Sequence, residues 1–339
     1  MSAASQLQAA WLWRGWLARI LLPVSWLYGA VSALHKSSYR LGLKRSERLP
    51  KPVLVVGNLV AGGAGKTPTT MALIQLLRSR GYTPGVISRG YGRSSKDVML
   101  VDRSMAASQV GDEPLLIHLR TGVPVAVGAD RIAAGKALLQ KHAAVDLIIS
   151  DDGLQHLRLA RDAQVVVFDE RGAGNGWLLP SGPLREPLPV ELPPRSVVLY
   201  NAAAPSTPLP GHLAQRRLAG IAGLSAWWSG QPGDPETLAK LRGRPVLAAA
   251  GLARPQRFFD MLRALGLSIT ELALPDHHDF AALPWPIGTA DVIVTEKDAV
   301  KLKPEVMGAT RVWVATLDFD LSAAFATDLM QWLPLPART

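Results

Sequence analysis

A glycine-rich segment near the start of the chain has the composition and order of a phosphate-binding loop. The apolar run Val53–Val56 leads into Gly57-Asn58-Leu59-Val60-Ala61-Gly62-Gly63-Ala64-Gly65-Lys66-Thr67, and an apolar helical pattern follows. Glycines let backbone N–H groups and a helix N-terminus face negative charge, while a lysine and a hydroxyl in this order serve the β- and γ-phosphates and Mg²⁺. The segment therefore predicts a nucleotide site formed by Gly62, Gly63, Ala64, Gly65, Lys66, Thr67 and Pro68.

One position departs from the standard spacing of such loops, which has glycine where this chain has Val60. The core Gly62-Gly63-x-Gly65-Lys66-Thr67 is complete, and Pro68 suits a first helical turn, where a backbone N–H has no partner. The alternative is a glycine-rich turn that carries Lys66 and Thr67 by chance.

Two adjacent carboxylates, Asp151 and Asp152, follow the apolar strand pattern Leu147–Ser150. In a parallel sheet the carboxyl end of a strand lies at the edge that faces such a loop, so one of them is expected to hold Mg²⁺ together with Thr67. Adjacent side chains in a strand point to opposite sides, which predicts different roles for the two. The alternative is a helix cap after a strand.

Two further polar clusters lie elsewhere in the chain. Asp112-Glu113-Pro114 precedes an apolar helical pattern and by itself is typical of a helix cap. Leu274-Pro275-Asp276-His277-His278-Asp279 reads as a polar loop, either solvated or metal-binding, although nothing nearby supplies more ligands.

Short apolar runs alternate with helical patterns from residue 52 onward, which is typical of βαβ units and a mainly parallel sheet. The pattern predicts strands at Val53–Val56, Gly85–Ser88, Val123–Val127, Asp146–Ser150, Gln164–Phe168 and Val197–Tyr200, and helices at Thr67–Arg80, Asp112–Thr121 and Ala129–His142. A smaller α/β part follows a boundary between about residues 205 and 240, with strands Val246–Ala250, Asp291–Thr295 and Val312–Val314 and a helix at Gln256–Leu265.

The positive charge is concentrated in the N-terminal segment. The net charge is +10, of which residues 1–51 carry +7 and the remaining 288 residues only +3. A local excess of this kind argues against a nucleic-acid-binding face and for a local acidic partner. The absence of cysteine excludes disulfides, thiolate nucleophiles and cysteine zinc sites.

This N-terminal arm, residues 1–45, also holds four of the ten tryptophans. Its longest uncharged apolar run, Ile20 to Leu34, is interrupted by Pro23 and is shorter than the roughly 20 residues of a spanning helix. Tryptophans and arginines on an apolar helix followed by basic residues favour an amphipathic anchor on an anionic membrane surface. The alternatives are a core helix and a signal peptide cleaved after Val31-Ser32-Ala33.

Taken together, these segments resemble the lipid A 4′-kinase (tetraacyldisaccharide 4′-kinase) family over most of the chain. The resemblance rests on the arm and on a series of blocks in order: Val56-Gly57-Asn58-Leu59 with Gly-Gly-x-Gly-Lys-Thr-Pro, Ser88-Arg89-Gly90-Tyr91-Gly92-Arg93, Gly111-Asp112-Glu113-Pro114, Asp151-Asp152-Gly153-Leu154-Gln155-His156, Leu179-Pro180-x-Gly182-Pro183-Leu184-Arg185-Glu186, Pro275-Asp276-His277 and Val294-Thr295-Glu296-Lys297-Asp298-Ala299-Val300. In that light Val60 is a family trait.

The resemblance implies ATP- and Mg²⁺-dependent phosphorylation of the 4′-hydroxyl of a tetraacylated glucosamine disaccharide 1-phosphate. It implies Asp112 as catalytic base with His277 (or its neighbour His278) pairing to it after domain closure, and Lys66 and Asp152 as further catalytic groups. Thr67, Asp151 and Asp152 would lie by the metal. Substrate and closure contacts would come from Arg89, Tyr91, Glu113, Gln155, His156, Arg185 and Glu186.

The fold implied is a P-loop NTPase-type, mainly parallel α/β sheet with helices on both faces, with three parts. These are the arm at 1–45, a kinase core at 46–220, and a smaller α/β domain at 221–339 that closes over the active site. The expected place is the cytoplasmic face of the bacterial inner membrane, peripherally bound. The expected partners are the acylated disaccharide and the anionic lipid surface, without nucleic acid or an obligate protein partner.

Two other functions are compatible with parts of the sequence. One is a GTPase or a biotin-synthesis-type ligase with a soluble substrate, although in Thr295-Glu296-Lys297-Asp298 the lysine lies one place too late for the guanine-reading motif. The other is a membrane tether that uses nucleotide only as a conformational switch.

Overall fold

The computed structural model describes residues 10–336 of the chain. Within them twelve strands are formed: β1 Val53–Gly57, β2 Pro84–Ser88, β3 Met99–Leu100, β4 Val125–Val127, β5 Leu147–Asp151, β6 Ala163–Asp169, β7 Ser196–Asn201, β8 His212–Gly223, β9 Pro245–Ala250, β10 Ser268–Ala273, β11 Asp291–Thr295 and β12 Arg311–Leu321. The helices are α1 Trp16–Ile20, α2 Leu22–Arg40, α3 Lys66–Ser79, α4 Ala107–Val110, α5 Asp112–Thr121, α6 Arg131–Lys141, α7 Leu224–Trp228, α8 Pro235–Ala239, α9 Pro255–Ala264, α10 Glu296–Ala299 and α11 Ala323–Met330, with one 3₁₀ turn at Pro304–Val306.

The chain folds as two compact units, and their boundaries differ from the division expected from the sequence. Of the described residues, the first unit contains 10–89, 130–215 and 320–336, and the second contains 90–129 and 216–319. The segment 90–129, expected in the kinase core, therefore belongs to the second unit. The reason is pairing between residues far apart in the chain, which a division into consecutive segments does not include. Glu113 of α5 forms an ion pair with Lys297 of α10, and Arg120 forms one with Glu296.

The first unit is built on a parallel sheet in the strand order β7-β6-β1-β5-β2. Every residue of β1, β2 and β5 is buried, as expected for parallel strands covered on both faces. The register pairs Val56 with both Asp151 and Val165, which brings the carboxyl ends of three neighbouring strands together. This arrangement confirms the predicted α/β fold class.

The second unit has its own parallel arrangement, β10-β9-β11-β12, and an antiparallel pair, β3 and β4. Its core is formed by α9 packed on β9 and β11, with Phe258, Phe259 and Leu262 buried against Ala248 and Ile293. Strand β10 was not predicted, because its side chains are mostly exposed and lack the apolar run of its neighbours.

Several predicted element ends differ by a few residues for identifiable local reasons. Helix α6 begins at Arg131, after Asp130, whose side chain accepts hydrogen bonds from the N–H groups of Ile132 and Ala133. Strand β5 extends through Asp151 because that residue still pairs with β1. Strand β8, which follows a proline-rich stretch at residues 180–211, was not predicted.

The N-terminal arm packs on the rest of the first unit and leaves most of its apolar side chains exposed. Ser25 is buried and bonds to the hydroxyl of Ser181 at 2.8 Å, while Gly29 approaches Leu178 closely. The exposed apolar residues of the arm include Trp13, Trp16, Ile20, Val24, Trp26, Leu27, Val31, Leu34, Leu41 and Leu43. A core helix would bury such residues, so the core-helix alternative does not describe α2. No helix in the described part of the chain is long and apolar enough to cross a bilayer.

Candidate active site

The glycine-rich loop between β1 and α3 has the backbone geometry of an anion cradle. Gly62 and Gly65 have φ values of 94° and 84°, which β-carbon sterics disfavour for other residues. Gly65 precedes α3, and no side chain caps the first N–H groups of this helix. These unsatisfied donors and the positive end of the helix dipole suit a phosphate group.

Val60 stands outside this cradle, which explains the departure from the standard spacing. It is buried and forms an antiparallel bridge with Leu184, while Ala61 N–H donates to Pro183 and Arg185 N–H donates to Leu59. Its φ is not positive, so the position does not require glycine.

The side chain of Lys66 lies among polar partners at the mouth of the loop. Its Nζ is 3.4 Å from Asn58 Oδ1 and 3.6 Å from Asp152 Oδ1. Asn58, fully buried, also donates to the Gly62 carbonyl at 3.3 Å and so ties the loop to the end of β1. Asn58 was part of a recognised block, but no role was assigned to it from the sequence.

The adjacent carboxylates have different environments. Asp151 is buried, and its Oδ1 accepts a hydrogen bond from Thr70 Oγ1 at 2.9 Å. Asp152 has a φ of 49°, which turns the chain away from the strand, and faces Lys66 and Arg185. Thr67 is also buried at the start of α3.

These residues fit a Mg²⁺ ion held jointly with a nucleotide. Hydroxyl and carboxylate oxygens are its preferred ligands, and Mg²⁺ is usually bound by one or two carboxylates, substrate phosphates and water. In the described residues, no group of three or more His, Cys, Asp or Glu side chains is arranged so that it could hold a metal ion by itself.

A polar network connects Asp152 to the arm. Arg185 donates to Asp152 Oδ1 and to Gln155 Oε1, both at 3.1 Å, and Gln155 Nε2 donates to Glu186 Oε1 at 3.1 Å. Glu186 forms an ion pair with Lys36 of α2. The hydroxyl of Tyr28, also in α2, donates to the Arg185 carbonyl at 2.8 Å. Three of the predicted substrate-contact residues are thus joined.

One cation beside the loop was not found from the sequence. Arg171 Nη2 donates to the Gly63 carbonyl at 3.1 Å, and Arg171 Nε lies 2.8 Å from the buried carboxylate of Asp169. The available signal was the position of these residues: Asp169 is the last residue of the buried strand β6 and Arg171 follows it, and the carboxyl end of β6 lies next to that of β1.

Two predicted site residues do not join this network. Burial and, secondly, the charge of the Arg131 guanidinium lower the pKa of the His156 imidazole to about 4. The imidazole is therefore neutral at physiological pH. Arg89 is exposed just after β2, and in residues 10–336 no hydrogen bond or ion pair joins it to another predicted site residue.

The second unit contains the cluster expected to supply the base. His277 Nδ1 lies 3.2 Å from Asp112 Oδ2, whereas the His278 ring nitrogen accepts from the Phe280 N–H at 3.1 Å. The geometry therefore pairs His277, and not His278, with Asp112. Both residues belong to the second unit, so the expectation that this pair forms only on domain closure is wrong.

Two lysines complete the cluster. Lys301 Nζ is 3.0 Å from the same Asp112 oxygen, and its side chain is only 8% exposed. Lys297 Nζ is 2.6 Å from Glu113 Oε1. Sequence reasoning did not identify Lys301. The available signal was its spacing of four residues from Lys297, which places both on one side of a helical turn.

Electrostatics keep the Asp112 carboxyl ionised. Burial acts to raise its pKa, but the hydrogen bond from His277 and the charge of Lys301 outweigh burial, and the net pKa lies below the ordinary value. The hydrogen bond to Asp112 raises the pKa of His277 against the opposing effect of burial. At neutral pH Asp112 is therefore available as a proton acceptor.

A cavity of about 860 Å³ lies beside this cluster and is lined by Tyr91, Arg103, Asp112, Trp228, His277 and Lys301, among other residues of the second unit. The Tyr91 side chain is 78% exposed, and its ring centroid is 6.3 Å from that of His277. The cavity combines aromatic surface, cations and a carboxylate, a lining suited to a phosphorylated sugar.

Comparison with known proteins identifies the family. Residues 17–334 match the model of the family described as Tetraacyldisaccharide-1-P 4'-kinase. The chain belongs to this family. The tetraacyldisaccharide 4'-kinase of Methylibium petroleiphilum is 58% identical over 93% of this chain and 89% of its own length, and that of Leptothrix cholodnii is 54% identical over 98% and 96%.

A solved structure agrees. LpxK from Aquifex aeolicus in complex with ATP has a TM-score of 0.78 and 27% sequence identity, covering 94% of this chain and all of its own. The predicted family, the P-loop-type α/β fold, the ATP-dependent kinase activity and the ATP and divalent-metal requirement are confirmed.

Proposed function

We propose that this kinase phosphorylates the 4′-hydroxyl of a tetraacylated disaccharide 1-phosphate at a membrane surface, with Asp112 as the general base. The observation that carries the base assignment is the pairing of the Asp112 carboxylate with His277 and Lys301 beside the second-unit cavity. An ionised carboxylate within reach of a sugar hydroxyl is sufficient to accept its proton.

The first unit supplies the phosphate-handling groups. Lys66 contacts the β- and γ-phosphates, and the N–H groups from Gly62 to Thr67 surround them. Thr67 with Asp151 and Asp152 would hold Mg²⁺, which when bound neutralises charge on the transferring phosphoryl group. Asn58 and Arg171 hold the loop in shape through the Gly62 and Gly63 carbonyls.

The chemical step is an in-line displacement at phosphorus. The hydroxyl oxygen forms a bond to the γ-phosphorus while the bond from that phosphorus to the β–γ bridging oxygen breaks, and the electron pair leaves with ADP. The hydroxyl proton passes to Asp112. The weak basicity of a carboxylate suffices because the proton moves late in such reactions. The predicted closure of the C-terminal part over the site stays a prediction.

The arm supports a peripheral membrane position. Its exposed tryptophans and aliphatic side chains suit the headgroup boundary, and Arg40, Lys44 and Arg45 follow directly with charge suited to anionic lipid. An acylated substrate stays in the bilayer, so the enzyme must reach it there. The cytoplasmic face is proposed because ATP is supplied from the cytosol.

The reaction is tested by transfer of labelled γ-phosphate from ATP to the purified disaccharide 1-phosphate lipid in detergent micelles with Mg²⁺. Wild type is expected to produce labelled lipid, and so is the control Asp260→Ala, which changes an exposed aspartate of the second unit. Asp112→Ala is expected to produce labelled lipid at a rate lower by about 10²–10⁴-fold. Normal turnover by Asp112→Ala would refute the base assignment. Nucleotide hydrolysis without labelled lipid in all three would favour the switch or the soluble-ligase function.

The membrane position is tested with vesicles that contain anionic lipid. Trp16→Ser with Trp26→Ser, which removes two exposed rings, is expected to lower binding by at least about tenfold. Trp332→Ser, which lies outside the arm, serves as the matched control. Equal vesicle binding by all variants would contradict the anchor.

A further inference from the structure

The proposed base carries a second partner whose role the phosphoryl-transfer chemistry does not explain. Asp112 Oδ2 lies 3.0 Å from Lys301 Nζ and 3.2 Å from His277 Nδ1. Lys301 lies just after α10, and its side chain is 8% exposed, so its ammonium is largely removed from solvent. A buried ammonium requires an anionic partner, and Asp112 is the one in contact with it.

We propose that Lys301 is a positioning residue for the general base. It holds the Asp112 carboxylate ionised and oriented, with Oδ2 shared between Lys301 and His277 and with Oδ1 assigned to accept the hydroxyl proton. The inference rests on the proposed function of Asp112. It assigns to Lys301 no contact with ATP.

The other charges around Asp112 do not replace Lys301. The neighbouring carboxylate of Glu113 is held by Lys297 at 2.6 Å. Asp276 acts on His277 and on Lys297. Because Lys297 is committed to Glu113, removal of Lys301 leaves Asp112 with His277 as its only direct cationic partner among the described residues.

The balance of forces gives the expected direction of change. Burial acts to raise the pKa of Asp112, and the charge of Lys301 is one of the groups that reverse this effect. An opposite charge at this distance lowers a carboxyl pKa by about 1–3 units. Without it, Asp112 becomes protonated at a higher pH and loses its ability to accept the proton there.

The first experiment compares pH profiles of kcat/KM for lipid phosphorylation in wild type, Lys301→Met, Lys301→Arg and Lys240→Met. The acid limb is expected to move to higher pH by about 1–3 units in Lys301→Met. It should keep its wild-type position in Lys301→Arg and in Lys240→Met, whose exposed lysine lies elsewhere in the second unit. An acid limb at the wild-type pH in Lys301→Met, whatever the loss of rate, would overturn the proposal.

The second experiment does not depend on activity. The His277 imidazole is titrated by NMR in the free protein, with its signal assigned through His277→Asn. In Lys301→Met its pKa is expected to rise by roughly 0.5–1 unit, because Asp112 then bonds to His277 alone. A lysine that only contacted substrate would leave this pKa unchanged, and that result would overturn the proposal.

These readouts separate the two hypotheses. If wild type fails to phosphorylate the lipid, the proposed function is wrong, while the His277 titration still tests whether Lys301 acts on Asp112. If Lys301→Met does not fold, Lys301→Gln, which keeps a donor and removes the charge, is measured in the same two ways with the same expected shifts.

Discussion

The phosphate loop of the first unit and the base cluster of the second unit are built in opposite ways. The loop draws its glycines, its lysine and its hydroxyl from one continuous stretch between β1 and α3. In the base cluster, Asp112 and His277 are 165 positions apart in the chain. The comparison teaches that a backbone phosphate site can form from one continuous segment. The proposed side-chain base, in contrast, depends on contacts between segments that are far apart in the chain.

The two regions also differ in how their charges are supported. Asp152 in the first unit lies near both Lys66 and Arg185, and Arg185 is held further by Gln155. In the second unit, Lys301 and His277 converge on one oxygen of Asp112. Substitutions in the two regions should therefore have distinguishable signatures.

The largest difference is expected for Lys66→Met. The side chain lies at the mouth of the loop beside Asp152, and loss of its charge would remove the proposed partner of the transferring phosphate. Turnover should fall by about 10²–10³-fold, and ATP affinity should fall with it. Asp112→Ala, in contrast, should retain ATP affinity, as measured by equilibrium nucleotide binding. Equal ATP affinity in wild type and Lys66→Met would contradict the assignment of the loop.

A smaller effect is expected for Arg185→Met. The substitution breaks the contacts with Asp152 and Gln155 at 3.1 Å, so the carboxylate loses one of its two cationic partners. We expect roughly a tenfold loss of kcat. Arg80→Met, at the exposed end of α3, is the control for loss of an arginine from the same unit. An unchanged kcat would show that the network does not support the site.

A weaker effect is expected where the network meets the arm. Lys36→Met removes the partly exposed ion pair with Glu186, a contact of limited energy, and should lower kcat in detergent by about two- to fivefold. Lys44→Met removes the same charge from the arm without touching Glu186. If both variants lose the same activity, the effect belongs to the net charge of the arm and not to the ion pair.

The smallest expected effect is a shift in the pKa of His277 in the second unit. In wild type the pKa of His277 should lie above its ordinary 6.5, and in Asp112→Asn it should return to that value or below, because burial then acts unopposed. The pair stabilises the fold fully between the ordinary pKa of an aspartate, 3.8, and that of a histidine, 6.5. The contribution is lost as pH rises through the raised pKa of His277, and also as pH falls through the depressed pKa of Asp112. NMR titration of both proteins measures this. The same midpoint in both would contradict the coupling.

The accuracy of the sequence-based predictions differed between elements for physical reasons. Strands β1, β5 and β6 were found because buried parallel strands are continuous apolar runs. Strand β10 was missed because its residues are largely exposed. The segment 90–129 was assigned to the wrong neighbours because α5 is held by Glu113 and Arg120 to residues far along the chain.

The sequence by itself determined the phosphate loop, the parallel α/β core and the basic, tryptophan-bearing arm. Each depends on neighbouring residues, through glycine backbone freedom, the period of apolar side chains and local charge. Only the tertiary structure decided that Val60 pairs with Leu184, that His277 and not His278 meets Asp112, and that Lys301 shares the same oxygen. These contacts join segments more than a hundred positions apart, and which of many similar side chains meet depends on how the whole chain packs.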